Sequence, residues 1–306
     1  MLVNLIDIGS NTVKMSLFDV RGSDFSLVCK ESRVCGLISY IRDGKMTEEG
    51  ISLLLKTLTD YRDTAQKRNA DCIIPFATAS LRRASNAEEI IDRVKQETGL
   101  EIDLISAERE AALSYKAVQN RTVSDKRERG VSVDMGGGST EIDLFRDGKV
   151  SFWTSLPFGC LSLYNAHCKG EFPTESEWDA MKREVFSALE EAKVPSDSAE
   201  TLYLIGGSAR ALALSYRVKE KITIRDDNGF SLSPRQLLGV KDYYASRRDE
   251  LRTLVPERYT MLLPALAAYD ALISHLGVKK LTVSASGMRE GYLFDLIERG
   301  VTRQGN

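Results

Sequence analysis

Eight consecutive residues, Asp134-Met135-Gly136-Gly137-Gly138-Ser139-Thr140-Glu141, combine the parts needed to handle a phosphate. Glycines carry no Cβ and accept φ > 0, so the backbone N–H groups of such a turn can converge on an anion. Asp134 beside that turn suits a phosphate only if a divalent cation or a water separates the two negative groups. A second stretch repeats the logic: Asp7-Ile8-Gly9-Ser10-Asn11-Thr12 again sets an aspartate before a small, polar turn. A third, Gly206-Gly207-Ser208, lies between an apolar run and a helical pattern, a junction that holds phosphates or the edge of a nucleotide. Taken singly, the first two stretches read equally well as hairpins with glycine turns. Asn11, Thr12 and Ser139 either shape those turns or bond phosphate oxygens.

The elements that must carry these residues are legible from periodicity. Alternation over residues 2–34 predicts a three-stranded antiparallel meander, and Gly130 to Phe145 predicts a strand, a tight turn and a returning strand. Residues 2–20 and 131–147 thus form a weak internal repeat. Helical spacing of Ile51, Leu54, Leu55, Leu58 and Tyr61 predicts an amphipathic helix over 47–68. A buried strand over 71–77 then delivers the polar run Thr78 to Asn86 at its C-terminal end, where open α/β sheets bind ligands. A helix over 87–98, capped by Asn86 and closed by Gly99, leads to a strand at 102–105. Ser106 caps a helix from Ala107 to Asn120, where Glu108 and Glu110 complement the helix dipole. The charged stretch 121–130 marks a domain boundary, giving 1–125 and 126–306. Beyond it come a capping box at Thr174 and Glu177, a strand at 201–205, a helix over 209–216, a short helix near 234–240, a charged helix near 241–254, an apolar helix over 256–276, and a strand at 281–283. A last helix, within 286–300, is placed to pack back on the first domain.

Composition bounds the function. With 306 residues, 42% of them hydrophobic, the chain buries a full core and divides into two domains. A net charge of −2, from 42 basic and 44 acidic residues, gives no global field for a nucleic acid polymer or an anionic membrane. The N-terminus has no basic n-region and no apolar span reaches membrane length, so a soluble, cytoplasmic protein is expected. Five cysteines without a C-x-x-C pair indicate free thiols, mostly in the core, in a reducing compartment, and two histidines are too few for a zinc site.

Laid in order, the three glycine motifs resemble those of the actin-like ATPase superfamily, in which two ribonuclease H-like α/β domains enclose a cleft and each supplies a phosphate loop. A finer resemblance is to the exopolyphosphatase and guanosine pentaphosphate phosphatase family. It rests on DIGSNTVK (7–14), ATASLRRASN (77–86), ISAEREAALSY (105–115), VDMGGGSTE (133–141), SLPFGCLSL (155–163), IGGSARAL (205–212) and SGMREGYL (286–293). These motifs keep family order over nearly the whole chain, which looks like the short, two-domain form. The resemblance implies release of terminal phosphate from inorganic polyphosphate, guanosine pentaphosphate, or both. It implies that Glu110 orients or deprotonates the attacking water, that Glu141 is a second carboxylate near that water, and that Arg82 grips a phosphate. Phosphate contacts are implied for Gly9, Ser10, Asn11, Thr12, Gly136, Gly137, Gly138, Ser139, Thr140, Gly206, Gly207 and Ser208. Mg²⁺, which prefers oxygen ligands and keeps several waters, is implied at Asp7 and Asp134. Family analogy also suggests a homodimer. The chain departs from the family where R-A-D and P-G-A are usual: Arg258-Tyr259-Thr260 and Pro264-Ala265-Leu266 stand there.

Two other functions are compatible with the same motifs. One is a non-catalytic sensor of polyphosphate or an alarmone. The other is an ATP-dependent kinase of the same superfamily, which would need an acceptor pocket with its own base; no sugar-kinase signature is present.

Overall fold

The first meander forms as its alternation predicts. Strands β1 (Leu2–Ile8), β2 (Thr12–Arg21) and β3 (Asp24–Val34) pair antiparallel, with β1 almost wholly buried and β3 an exposed edge. A 3₁₀ turn (Leu37–Tyr40) and the short strands β4 (Ile41–Arg42) and β5 (Lys45–Met46) precede helix α1 (Glu48–Lys67), whose N-cap Thr47 accepts from the Gly50 amide. The predicted stripe of α1, Ile51 to Tyr61, is buried. Strand β6 (Cys72–Ala77) runs parallel to β1, and a short helix α2 (Ala79–Arg82) follows it. Helix α3 (Ala87–Thr98) ends at Gly99, whose φ of 73° is left-handed. Its start differs from expectation. Asn86 makes no side-chain cap; its amide instead bonds both the N–H and the C=O of Met46, a reciprocal pair that satisfies more groups than one capping bond. Strand β7 (Asp103–Leu104) runs parallel to β6 and completes a sheet ordered β3-β2-β1-β6-β7. Helix α4 (Ala107–Arg121) follows, and the Ser106 hydroxyl accepts from the Arg109 amide at 3.1 Å.

The same topology recurs further along the chain. Strands β8 (Gly130–Met135), β9 (Thr140–Arg146) and β10 (Lys149–Leu156) form a second antiparallel meander. After helices α5 (Cys160–His167) and α6 (Glu175–Glu191), strand β11 (Thr201–Ile205) pairs parallel with β8 and leads into α7 (Gly207–Glu220). Next come β12 (Ser231–Leu232), α8 (Pro234–Ala245), α9 (Arg248–Leu254), α10 (Tyr259–Leu276), β13 (Lys280–Val283) and α11 (Met288–Glu298). The sheet order is β10-β9-β8-β11-β13-β12, so each sheet is a three-stranded meander whose first strand is extended by two parallel strands, and in the second sheet β12 adds an antiparallel edge on β13. The departures at 258–266 leave α10 intact: the Tyr259 hydroxyl donates to Glu171, and Ala265 is buried in the core.

The structure describes residues 1–123, 125, 127–224 and 226–300. Met1–Glu110, together with residues 292–300, forms one unit, and Ala111–Gly291 forms the other. The chain therefore leaves the first unit inside α4 and returns to it inside α11. The boundary expected at 125/126 falls on Lys126, outside the described residues. Within the first unit, Tyr292 stacks on Phe76 at 4.8 Å and donates its hydroxyl to Asp103 at 2.6 Å, while Phe294 meets Phe25 edge-on. Each unit has its own core, one beneath α1 and α3 and one among α5, α6, α7, α8 and α10. All five cysteines are free thiols, with Cys35 and Cys160 buried. Among the described residues no helix is long and apolar enough to cross a membrane.

Candidate functional site

The two aspartate turns are built alike. In each, the aspartate lies two residues before a glycine whose N–H closes the turn on a carbonyl three residues on: Gly9 to Thr12 at 3.2 Å, Gly136 to Ser139 at 3.0 Å. Neither Gly9 nor Gly136 has a left-handed φ; a Cβ on Gly9 would lie 3.0 Å from the Thr12 carbonyl, so closeness rather than handedness selects glycine there. The turn carbonyls face backward in both. Ile38 donates to Ser10 O at 3.0 Å, and Cys35 and Gly36 donate to Asn11 O at 2.9 and 2.8 Å. In the other unit Cys160 donates to Gly136 O at 3.0 Å, and Leu161 and Ser162 donate to Gly137 O at 3.0 and 2.9 Å. No peptide here is cis, so each carbonyl held backward turns the N–H of its own peptide forward. The forward amides are those of Asn11 and Thr12 in one turn, and of Gly137 and Gly138 in the other.

In the first unit the C-terminal ends of the parallel strands β1, β6 and β7 place the Asp7 turn, α2 and the start of α4 along one sheet edge. Arg82, in α2, donates from Nη1 to Glu110 Oε2 at 2.6 Å and to the Ile105 carbonyl at 2.8 Å. The sequence-predicted arginine and glutamate are therefore in direct contact, although 28 residues apart. Glu110 is largely buried and Arg82 partly so, which strengthens a charge-assisted bond. Asp7 Oδ2 lies 3.6 Å from the Nζ of Lys14, its cross-strand partner.

In the second unit Asp134 collects neighbours from helix α4 and from the segments that follow β11 and β13. Its Oδ2 accepts from Ser114 Oγ of α4 at 3.2 Å. A Cβ on Gly206 would lie 3.0 Å from its Oδ1, and one on Gly287 would lie 3.8 Å from its Oδ2. Gly206 also has φ 96° and ψ 178°, a conformation that costs a non-glycine residue on the order of 1–3 kcal/mol. Gly207 opens α7 against the guanidinium of Arg258; a Cβ there would sit 2.4 Å from Arg258 Cζ. Glu141, the cross-strand partner of Asp134, is buried and accepts from Ser155 Oγ at 2.9 Å. Two of the predicted phosphate contacts have hydroxyls engaged elsewhere: Thr140 Oγ1 donates to the Phe158 carbonyl at 2.8 Å, and Ser208 Oγ donates to Cys160 Sγ at 3.3 Å. Ser10, Thr12 and Ser139 are mostly buried within their turns.

One carboxylate next to this group had no signal in the sequence. Asp143 is buried beside Asp134, accepts from Ser132 Oγ at 3.0 Å, and has no partner for Oδ1 among the described residues. Burial pushes its carboxyl up to about 8, opposed by the Ser132 hydrogen bond and reinforced by the charge of Asp134. In the unfolded chain the group titrates near about 3.9. The folded chain therefore holds the extra proton between these values. The stability it confers is complete below about pH 4 and is lost as pH rises through about 8. Asp143→Asn is expected to melt higher than the unmodified chain at about pH 9, with a smaller difference at about pH 5. Equal differences at both pH values, by calorimetry, would show that Asp143 ionises normally.

Among the described residues no group of three or more histidine, cysteine or acidic side chains could hold a metal ion alone. The donor set nevertheless suits Mg²⁺, which is commonly held by one or two carboxylates with waters and substrate phosphates completing the shell. The two aspartates have different neighbours: Asp7 Oδ2 lies 3.6 Å from Lys14 Nζ, and Asp134 is the cross-strand partner of Glu141. Ser114, Ser155, Gly159 and Gly287 also bear on these groups; each lies within a motif quoted above, 105–115, 155–163 or 286–293, but has no role assigned there, because its partner is distant along the chain.

Two sheet-and-helix units of matching topology define a two-domain mixed α/β protein of ribonuclease H-like architecture. The chain belongs to the Ppx/GppA phosphatase family, whose model matches residues 18–300. It is 26% identical to exopolyphosphatase 1 of Mycobacterium tuberculosis over 309 aligned positions, covering 96% of this chain and 87% of that protein. It is 25% identical to the guanosine-5'-triphosphate,3'-diphosphate pyrophosphatase of Photobacterium profundum, covering 96% of this chain but only 59% of that longer protein. Among solved structures, the Aquifex aeolicus Ppx/GppA family member superposes with a TM-score of 0.79 at 26% identity, covering 100% of this chain and 99% of the other.

Proposed function

We propose that this phosphatase-family chain is a Mg²⁺-dependent hydrolase that removes the terminal phosphate from inorganic polyphosphate, guanosine pentaphosphate, or both. The observation that carries the reading is the Arg82–Glu110 pair at the strand ends that also bear the Asp7 turn. Nη1 of Arg82 is committed to Glu110 and Ile105, which leaves the Nε and Nη2 edge to grip a terminal phosphate in the fork geometry that guanidinium favours. The forward amides of the glycine turns receive phosphate oxygens. Glu110 takes a proton from the water that attacks the terminal phosphorus, and the P–O bond to the rest of the chain breaks. Asp134, with Asp7 as the weaker contributor, would hold Mg²⁺, which supplies neutralisation of the phosphate charge. Five free thiols suit a reducing, cytoplasmic setting, and family analogy supports a homodimer.

The test is phosphate release with Mg²⁺ from polyphosphate, guanosine pentaphosphate and ATP, measured side by side. Release from one or both of the first two above the Glu110→Gln background is expected. Binding without release from any of the three would sink the hydrolase and leave a sensor; transfer from ATP to an acceptor would point to a kinase.

A further inference from the structure

The segment SLPFGCLSL has no function in the scheme above, yet most of its hydrogen bonds to other parts of the chain run to the Asp134 turn or to Glu141. Ser155 donates to Glu141 Oε1 at 2.9 Å. The Phe158 carbonyl receives the Thr140 hydroxyl at 2.8 Å. Gly159 has extended backbone, φ −148° and ψ 179°, that any residue adopts, but a Cβ on it would lie 2.5 Å from Gly136 O and 2.6 Å from Gly137 C and Gly138 N. Glycine is needed here because the segment touches the turn backbone itself. Directly after this contact, Cys160 donates to Gly136 O from both its amide, at 3.0 Å, and its Sγ, at 3.3 Å. The amides of Leu161 and Ser162 hold Gly137 O. The first amides of α5, which in other proteins bind an anion directly, are spent on the turn's carbonyls instead.

We infer that residues 155–163 are the positioning element of the second unit's site, with Ser155 acting through Glu141 and Cys160 acting through the Gly136 peptide. The inference rests on the hydrolase reading for Ser155, but not for Cys160, whose effect is on anion binding. Gly136 O drawn toward α5 is what turns the Gly137 N–H forward, and the Cys160 thiol supplies one of the two bonds that draw it. Burial pushes that thiol's pKa up, so it stays an S–H donor at neutral pH. Ser208 donates in turn to Cys160 Sγ, so one side chain ties the Gly136 turn to the start of α7.

Two arms test this. Calorimetric titration of tripolyphosphate with Mg²⁺, in the Glu110→Gln background so that nothing turns over, should show binding weakened about tenfold by Cys160→Ala and retained by Cys160→Ser, a loss typical for an outer positioning contact. Kinetics should show Ser155→Ala lowering kcat about tenfold with KM within about twofold, and Ser155→Thr restoring kcat, as for a group that orients a reacting residue. Gly159→Ala should abolish binding; if it does not fold, the other two variants still decide. Unchanged binding in Cys160→Ala overturns its part, and equal changes in kcat and KM for Ser155→Ala overturn the other. If the parent chain releases no phosphate yet binds tripolyphosphate, the hydrolase reading fails while the Cys160 result stands. A parent that neither binds nor hydrolyses overturns both.

Discussion

Glu110→Gln is expected to release phosphate on the order of 10²–10⁴-fold more slowly than the unmodified chain, the range found when a positioned general base is removed. Glutamine keeps the size of the side chain and a carbonyl oxygen that can still accept from Arg82 Nη1, so the contact at 2.6 Å has a substitute. The melting temperature should therefore change little and KM should stay near its original value, since the phosphate-facing edge of Arg82 is untouched. The loss should appear in kcat alone, because a base contributes to the transition state and not to ground-state binding. If kcat falls less than about tenfold, Glu110 is not the base. If instead KM rises in step with the loss of kcat/KM, Glu110 serves only to hold Arg82.

Asp134→Asn should raise the Mg²⁺ concentration needed for half-maximal activity by at least about tenfold, with much of the rate recovered at high Mg²⁺. Asparagine fits where the space is tight, since Gly206 and Gly287 both lie close to the carboxylate oxygens, and it can still accept from Ser114. What it loses is the charge. That charge is what a carboxylate ligand contributes to holding Mg²⁺. Asp7→Asn should shift the same titration less, because Lys14 already stands 3.6 Å from Asp7. Superimposed metal titrations for Asp134→Asn and the unmodified chain would remove Asp134 from the metal site. A larger shift for Asp7→Asn than for Asp134→Asn would reverse their roles.

Much of this site is visible in the chain as written. The meanders, the two aspartate turns, the Gly206 junction and the helix bearing Glu110 all follow from alternation, helical spacing and the special backbone properties of glycine, which act over a few residues. The repeat between residues 2–20 and 131–147 extends to both sheets, each a meander continued by two parallel strands, with β12 added in the second. Local rules were weaker where a distant partner competes. Asn86 has the right type for a cap, but Met46, 40 residues away in sequence, takes its side chain. Thr140 and Ser208 have hydroxyls suited to phosphate, but Phe158 and Cys160 receive them.

Which residue types stand at the ends of which strands can be read from the chain alone, and the family motifs imply roles for Glu110, Arg82 and Asp134 that the experiments above test. Folding adds that Arg82 holds Glu110, that Lys14 stands beside Asp7, and that the first amides of α5 hold the Gly136 and Gly137 carbonyls. Hydrogen-bond direction and charge neighbours are set by segments that meet in space from far apart in the chain, and periodicity, which is a local property of the backbone, contains no information about them.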